Sequence, residues 1–249
     1  MPTDGAPARL EIDIASKRYR GARGATIEAV HQLAINLPAG WFGALIGPSG
    51  CGKTTILRIV AGLDTDYAGK VTLPGTGRLG MVFQEPRLLP WRSVEDNVRL
   101  ALDAPLPAAE LDALFGMLGL AEHRRHYPGE LSLGLARRAA IARAFAVKPD
   151  LLLLDEPFVS LDEATARRLR GELAALRARR PITTLMVTHD VEEAIALADV
   201  LYFLSARPAR LIREAPVTLA RAERTPEAIA RFRAGLRDTA GEAALAATA

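Results

Sequence analysis

Cysteine is nearly missing from this chain: Cys51 is the only one in 249 residues. A single thiol forms no internal disulfide, so the fold must rest on its core, and the composition suits a reducing compartment. Lysine is almost as scarce. It occurs at 17, 53, 70 and 148 only, so 32 − 4 = 28 of the basic residues are arginine. Against 29 acidic residues this leaves a net charge of +3, and the arginine excess reads as codon usage rather than nucleic-acid recognition. Uninterrupted apolar runs of the ~18–20 residues that span a bilayer are also absent. The start, Met1-Pro2-Thr3-Asp4-Gly5-Ala6-Pro7, has no basic segment followed by an apolar one, so no secretory signal is expected. There is no low-complexity linker and no internal repeat. A cytosolic protein is expected, reaching a membrane only through a partner.

What is present is organised around Gly47-Pro48-Ser49-Gly50-Cys51-Gly52-Lys53-Thr54-Thr55, a G-x-x-x-x-G-K-T pattern. Glycines at 47, 50 and 52 let backbone N–H groups converge on an anion without side-chain obstruction. Lys53 is suited to reach the β- and γ-phosphates of a nucleotide, and the Thr54 hydroxyl to ligate Mg²⁺. The pattern needs a strand before it and a helix after it. The apolar run Phe42–Ile46 and the helically spaced apolar residues from Thr54 to Gly62 supply both. Cys51 reads as a small filler in this loop.

Before the loop, Leu10, Ile12 and Ile14, then Leu33, Ile35 and Leu37, alternate with polar neighbours, which predicts two half-buried strands joined by a turn at Arg20–Gly24. On these residues alone Tyr19, at the end of the first strand, reads equally as a half-buried aromatic and as a platform for a base. After the loop, 70–73 and 78–84 read as strands separated by a Pro/Gly-rich hairpin. Helical spacing follows at 94–102, 107–120 and 132–147, with Ser132 placed as an N-cap. Strands at 151–154, 183–187 and 200–204 then alternate with helices at 162–179 and 191–198, the rhythm of a sheet buried on both faces. A further strand at 210–212 and an amphipathic helix opened by Thr225-Pro226-Glu227 follow, and 241–249 are expected to fray.

The strand Leu151–Leu154 delivers two carboxylates, Asp155 and Glu156, to its C-terminal end, the edge where ligands of parallel sheets bind. Asp155 is suited to hold Mg²⁺ through water and Glu156 to polarise an attacking water.

With these residues in place the chain resembles the ATP-binding subunit of an ABC transporter. The motifs run in the family's order: Gly47–Thr54, Gln84, Leu131–Leu135, Leu151–Glu156, Ser160-Leu161-Asp162 and His189. The resemblance implies an α/β fold, a RecA-like P-loop core with an antiparallel β subdomain. A helical subdomain at about 86–135 would interrupt it, between core segments 8–85 and 136–249 of a single domain. It also implies a dimer that sandwiches two ATP molecules head to tail. Gln84 would contact Mg²⁺ or the lytic water, His189 the γ-phosphate, Tyr19 the adenine, and Asp162 the dimer contact. Ser132 and Gly134 would approach the ATP held by the opposite subunit.

The signature departs from the family's L-S-G-G-Q or L-S-G-G-M, reading Leu131-Ser132-Leu133-Gly134-Leu135. Leu133 replaces a glycine that permits close backbone approach to phosphate. Either the loop shifts or the closed dimer is weakened. Hydrolysis by a homodimer would then be slow, or the chain pairs with a second, intact ATPase. The segment from Val82-Phe83-Gln84-Glu85-Pro86 to Trp91, with Val94–Val98, resembles importers of nitrate, sulfonate, taurine or pyrimidine precursors. Leu88, Leu89 and Trp91 would form a groove for a short permease helix. The implied partners are a second ABC ATPase, membrane permeases on the inner face of the membrane and, indirectly, a periplasmic or extracellular solute-binding protein. A soluble ABC machine acting on nucleic acid and a weakly hydrolysing regulatory subunit are the alternatives.

Overall fold

The computed structural model describes residues 9–20 and 24–239, with the side chains of 237–239 left aside. The expected leader, the middle of the turn at 20–24 and the tail 241–249 lie outside the described residues. The chain divides into two units, one from the described residues up to Thr76 and from Thr183 onward, the other Gly77–Ile182.

In the first unit, β1 (Arg9–Arg20) pairs antiparallel with β2 (Thr26–Pro38) and with β4 (Ala68–Thr72), giving the sheet order β2-β1-β4. Their alternation places Leu10, Ile12, Ile14, Leu33, Ile35 and Leu37 inside, each essentially without exposure. A second set of strands reads differently. β3 (Phe42–Ile46) lies parallel between β7 (Thr183–Thr188) and β8 (Val200–Leu204), and every residue of the three is buried. Unbroken burial requires cover on both faces. α1 (Lys53–Val60) packs on β7 and β2, and α6 (Val191–Leu197) on β3, β7 and α7 (Pro226–Thr239). β9 (Leu211–Pro216) closes the set antiparallel to β8. Tyr202 in β8 is fully buried yet satisfied, its hydroxyl donating to the Asn36 carbonyl at 2.9 Å. Burial, with the Glu214 carboxylate beside it, pushes that hydroxyl's pKa upward.

In the second unit, β5 (Leu79–Val82) and β6 (Leu151–Asp155) pair in parallel, Leu79 opposite Leu151 and Val82 opposite Leu154. Around them are α2 (Val94–Arg99), α3 (Ala108–Met117), α4 (Leu133–Ala146) and α5 (Glu163–Arg179). α4 is the hub, packing on β5, α2 and α3. Its alanines at 139, 140, 142 and 144 are buried, and small side chains are what let three elements approach one helix.

The hairpin expected between 70–73 and 78–84 is not formed. β4 takes β1 as its partner and β5 takes β6, so the Pro/Gly-rich stretch is a connection between sheets. The two segments offer different surfaces: Gly80 and Val82 of β5 are buried beside β6, whereas Ala68, Gly69 and Lys70 of β4 are exposed at the edge of their sheet.

Candidate functional site

The register of the first unit decides what its site is built from. Ile46 of β3 stands opposite Thr188 of β7 and Phe203 of β8 in parallel strands. The residues that follow, Gly47, His189 and Leu204, therefore leave one sheet edge side by side, the carboxyl edge at which open α/β sheets take ligands. His189 is exposed there. Just after it, Asp190 caps α6, accepting from the Glu192 and Glu193 N–H groups at 2.8 and 3.1 Å.

Gly47 to Gly52 then wraps tightly over the start of α1. Lys53 is only 5% exposed, and its ammonium donates to the carbonyls of Gly47 at 2.6 Å and Pro48 at 3.0 Å. A buried ammonium held by neutral loop carbonyls, in a loop that carries no carboxylate, is a charge poised at an anion site. Gly52 carries φ +127, and a Cβ there would meet the Ala29 carbonyl oxygen at 2.7 Å, so both backbone conformation and space demand glycine. Cys51 is buried against the loop and supplies no exposed thiol. Thr54 is exposed on the first turn of α1 and Thr55 half-buried beside it. That turn carries no acidic residue, so nothing on the helix itself opposes an anion at its positive end.

Tyr19 stands 38% exposed at the end of β1. Its hydroxyl donates to Asp64 Oδ2 at 3.0 Å and lies 3.4 Å from Thr55 Oγ1, while Lys17 Nζ sits 4.5 Å from the ring centroid. An open cleft of about 810 Å³ adjoins the ring, lined also by Ser16, Arg18, Thr26 and Tyr67. Lys17 and Asp64 form a part-buried ion pair at 2.7 Å. Burial raises the Asp64 carboxyl, but hydrogen bonds from Lys17 and Tyr19 and the Lys17 charge outweigh it, so the group titrates below an ordinary aspartate.

The second unit gathers the remaining candidates in two places. At the carboxyl edge of β5 and β6, Gln84 follows one strand, exposed, and Asp155, 4% exposed, ends the other. Glu156 has φ +43, a left-handed conformation that costs a residue with a Cβ and persists only where its surroundings impose it. Arg137 of α4 imposes it. Its guanidinium is buried and donates to the carbonyls of Glu156, Pro157 and Val159, fixing the turn that carries the carboxylate. Arg137 was missed by reading the sequence for chemistry, because its partners are backbone groups that leave no motif.

The second place is a pocket of about 260 Å³ where the start of α4 meets the start of α5, lined by Ser132, Leu133, Gly134 and Asp162 among others. Ser132 caps α4, accepting from Leu135 N–H at 3.3 Å, and Asp162 caps α5, accepting from Thr165 N–H at 3.0 Å. Hydrogen bonds from Thr165 hold the Asp162 carboxyl below the usual carboxylate range. A Cβ on Gly134 would press on Thr165 Cγ2 at 3.0 Å, so a larger residue there would require Thr165 to give way. Leu133 points outward, 43% exposed.

A family model described as ABC transporter matches residues 30–159, more than half of the chain. The chain belongs to the ABC transporter family. It is that family's ATP-binding and hydrolysing component, an ATPase coupled to transport. Similar relatives include the aliphatic sulfonates import ATP-binding protein SsuB 2 of Burkholderia cenocepacia (strain HI2424), 44% identical over 246 residues, with 95% of this chain and 89% of the relative covered. SsuB of Bacillus subtilis (strain 168) is 38% identical over 221 residues, covering 85% and 86%. Among solved structures, the dimeric ATP-binding cassette MJ0796 in a post-hydrolysis state with ADP and Pi has a TM-score of 0.71 and 26% identity, covering 85% of this ABC chain and 100% of that one. The fold is thus the α/β fold of ABC ATPases.

Proposed function

We propose that this chain is the ATPase of an importer for a small anionic solute of the aliphatic-sulfonate kind, working as a head-to-tail dimer on membrane permeases. The observation that carries the nucleotide half of this reading is the buried Lys53 ammonium inside a glycine loop at the carboxyl edge of β3. The solute class is taken from the relatives named above, which match over 95% and 85% of this chain.

Lys53 and the loop N–H groups bind and orient the β- and γ-phosphates, and the Tyr19 ring accepts the adenine face. Glu156 takes the proton of the attacking water, and His189 donates to a γ-phosphate oxygen as charge develops on it. Ser132, Gly134 and Asp162 act on the nucleotide bound by the other copy. Among the described residues no group of three or more His, Cys, Asp and Glu gathers to cage a metal. A divalent ion would therefore take most of its ligands from phosphate and water, the ordinary habit of Mg²⁺, and the hard oxygens of Thr54, Gln84 and Asp155 fit that role. Bound Mg²⁺ would neutralise charge on the phosphates.

The permease side rests on the segment after Gln84. Trp91 is 69% exposed, and the turn carrying it is held from within by Asn97, fully buried, which accepts from Leu89 N–H at 2.7 Å and donates to the carbonyls of Leu89, Arg92 and Ser93. An aromatic on so firmly built a turn suits reception of a permease helix. Among the described residues no helix is long and apolar enough to cross a membrane. In the proposed reading the chain works from the cytoplasmic side through its permease.

The experiment is Glu156→Gln. The variant should bind ATP as the parent does and lose turnover by about 10²–10⁴-fold, the range for a removed general base. Undiminished steady-state hydrolysis would remove Glu156 from the role.

A further inference from the structure

We infer that Arg207 is a positioning residue for ATP, its guanidinium holding the apex of the phosphate-binding loop in an anion-ready form before nucleotide arrives. This rests on the ATP reading of Gly47–Thr54. The loop is backed by a wall from the end of β8. A Cβ on Gly47 would meet Leu204 Cβ at 3.2 Å and the Leu204 carbonyl oxygen at 3.4 Å. The segment after Leu204 is closed on itself, Ser205 N–H donating to the Arg210 carbonyl at 3.0 Å and Arg210 N–H to Ser205 Oγ at 3.0 Å. It is also tied to β2, with Ala209 N–H donating to the Ala29 carbonyl at 2.9 Å and His31 N–H to the Ala209 carbonyl at 3.0 Å. The Ala29 carbonyl is the same group that excludes a side chain from Gly52. Leu204, Ala29 and Ala209 thus form a fixed surface under the loop.

From that surface Arg207 reaches the apex. Its Nε and Nη2 both donate to the Gly50 carbonyl, at 3.1 and 2.8 Å. The other side of the same peptide, Cys51 N–H, donates to the Pro48 carbonyl at 3.2 Å. The Gly50–Cys51 peptide is therefore held at both ends. Gly50 sits at φ +73, which glycine adopts without steric penalty and leaves as easily. Without Arg207 only the Cys51 N–H bond to the Pro48 carbonyl holds the peptide, and its carbonyl turns more readily toward the anion. With Lys53 on Gly47 and Pro48, and Arg207 on Gly50, three loop carbonyls that would repel a phosphate are occupied by cationic side chains. Hydrogen bonds from charged donors are the stronger kind, and a forked guanidinium holds direction as well as distance.

The test is equilibrium binding of Mg·ATP to the full-length chain, with Arg207→Ala and Arg207→Lys. Arg207 is exposed, so its removal leaves no core cavity and the thermal midpoint should hold. Loss of a charged hydrogen bond should weaken Arg207→Ala binding about tenfold, equivalent to about 1.4 kcal/mol. Turnover at saturating ATP should stay within about twofold, because a preorganising contact acts on ground and transition states alike. Arg207→Lys should recover part of the affinity. Amide exchange at residues 49–53 of the nucleotide-free chain should quicken in the alanine variant. Unchanged affinity and exchange would overturn the proposal, as would lost turnover with unchanged affinity or a fallen thermal midpoint alone. Failure of the parent chain to bind ATP would instead strike the ATP reading itself, and the positioning role with it.

Discussion

Leu133 occupies the first helical position of α4, where the family's signature has glycine, and its side chain faces solvent. Ser132 still caps the helix and Gly134 still admits Thr165, so the framework around the substitution is intact. In the proposed dimer the leucine would limit how closely the backbone can approach a phosphate presented from another chain. Leu133→Gly should therefore raise steady-state hydrolysis at saturating ATP, by about tenfold if closer approach restores about 1.4 kcal/mol of transition-state contact. The helix should lose no more than about 1 kcal/mol in urea denaturation, the propensity cost of glycine. A drop in turnover would mean that the leucine makes a contact of its own.

At the scale of elements, what the sequence made legible was what each segment does with its own side chains. Alternation marked β1 and β2, apolar runs marked β3, β6 and β8, and the cap at Ser132 marked the start of α4. What was not legible was pairing across the chain. The partner of β4 is β1, more than fifty positions earlier, and nothing in 68–72 names it. Arg137 acts on carbonyls some twenty residues away, and Arg207 reaches a carbonyl 157 residues away, so no local pattern could announce them. The part-buried pair between β1 and Asp64 is the same kind of long-range contact, and it bears on stability. Burial lowers the Lys17 ammonium, but the Asp64 hydrogen bond and charge, with Asp66, raise it above its ordinary 10.5. The Asp64 carboxyl is held below its ordinary 3.8. The Asp64 contribution is thus present above pH 3.8 and lost as pH falls through its lowered folded value, while the Lys17 contribution is present below pH 10.5 and lost as pH rises through its raised one. Lys17→Met should cost about 1–3 kcal/mol at neutral pH by urea denaturation, the penalty for removing the charged partner of a part-buried carboxylate. Lys17→Met with Asp64→Leu should recover much of that, and an additive double variant would show that the two groups do not act as a pair.

For the whole molecule, the proposed function needs a second copy of the chain, and one exposed pocket of the second unit fits that need. The pocket of Ser132, Gly134 and Asp162 opens to solvent at two helix N-termini, where backbone N–H groups and helix dipoles favour an anion from outside. Residue types were readable there from the sequence. That Ser132 and Asp162 share one pocket was not, because it depends on how α4 meets α5. If that pocket closes over the nucleotide of a second copy, association must depend on the γ-phosphate. The direct measurement is the solution mass of Glu156→Gln by light scattering, with Mg·ATP and with Mg·ADP. The expected result is twice the 26.7 kDa chain with ATP and a single chain with ADP. One mass under both nucleotides would contradict the composite site.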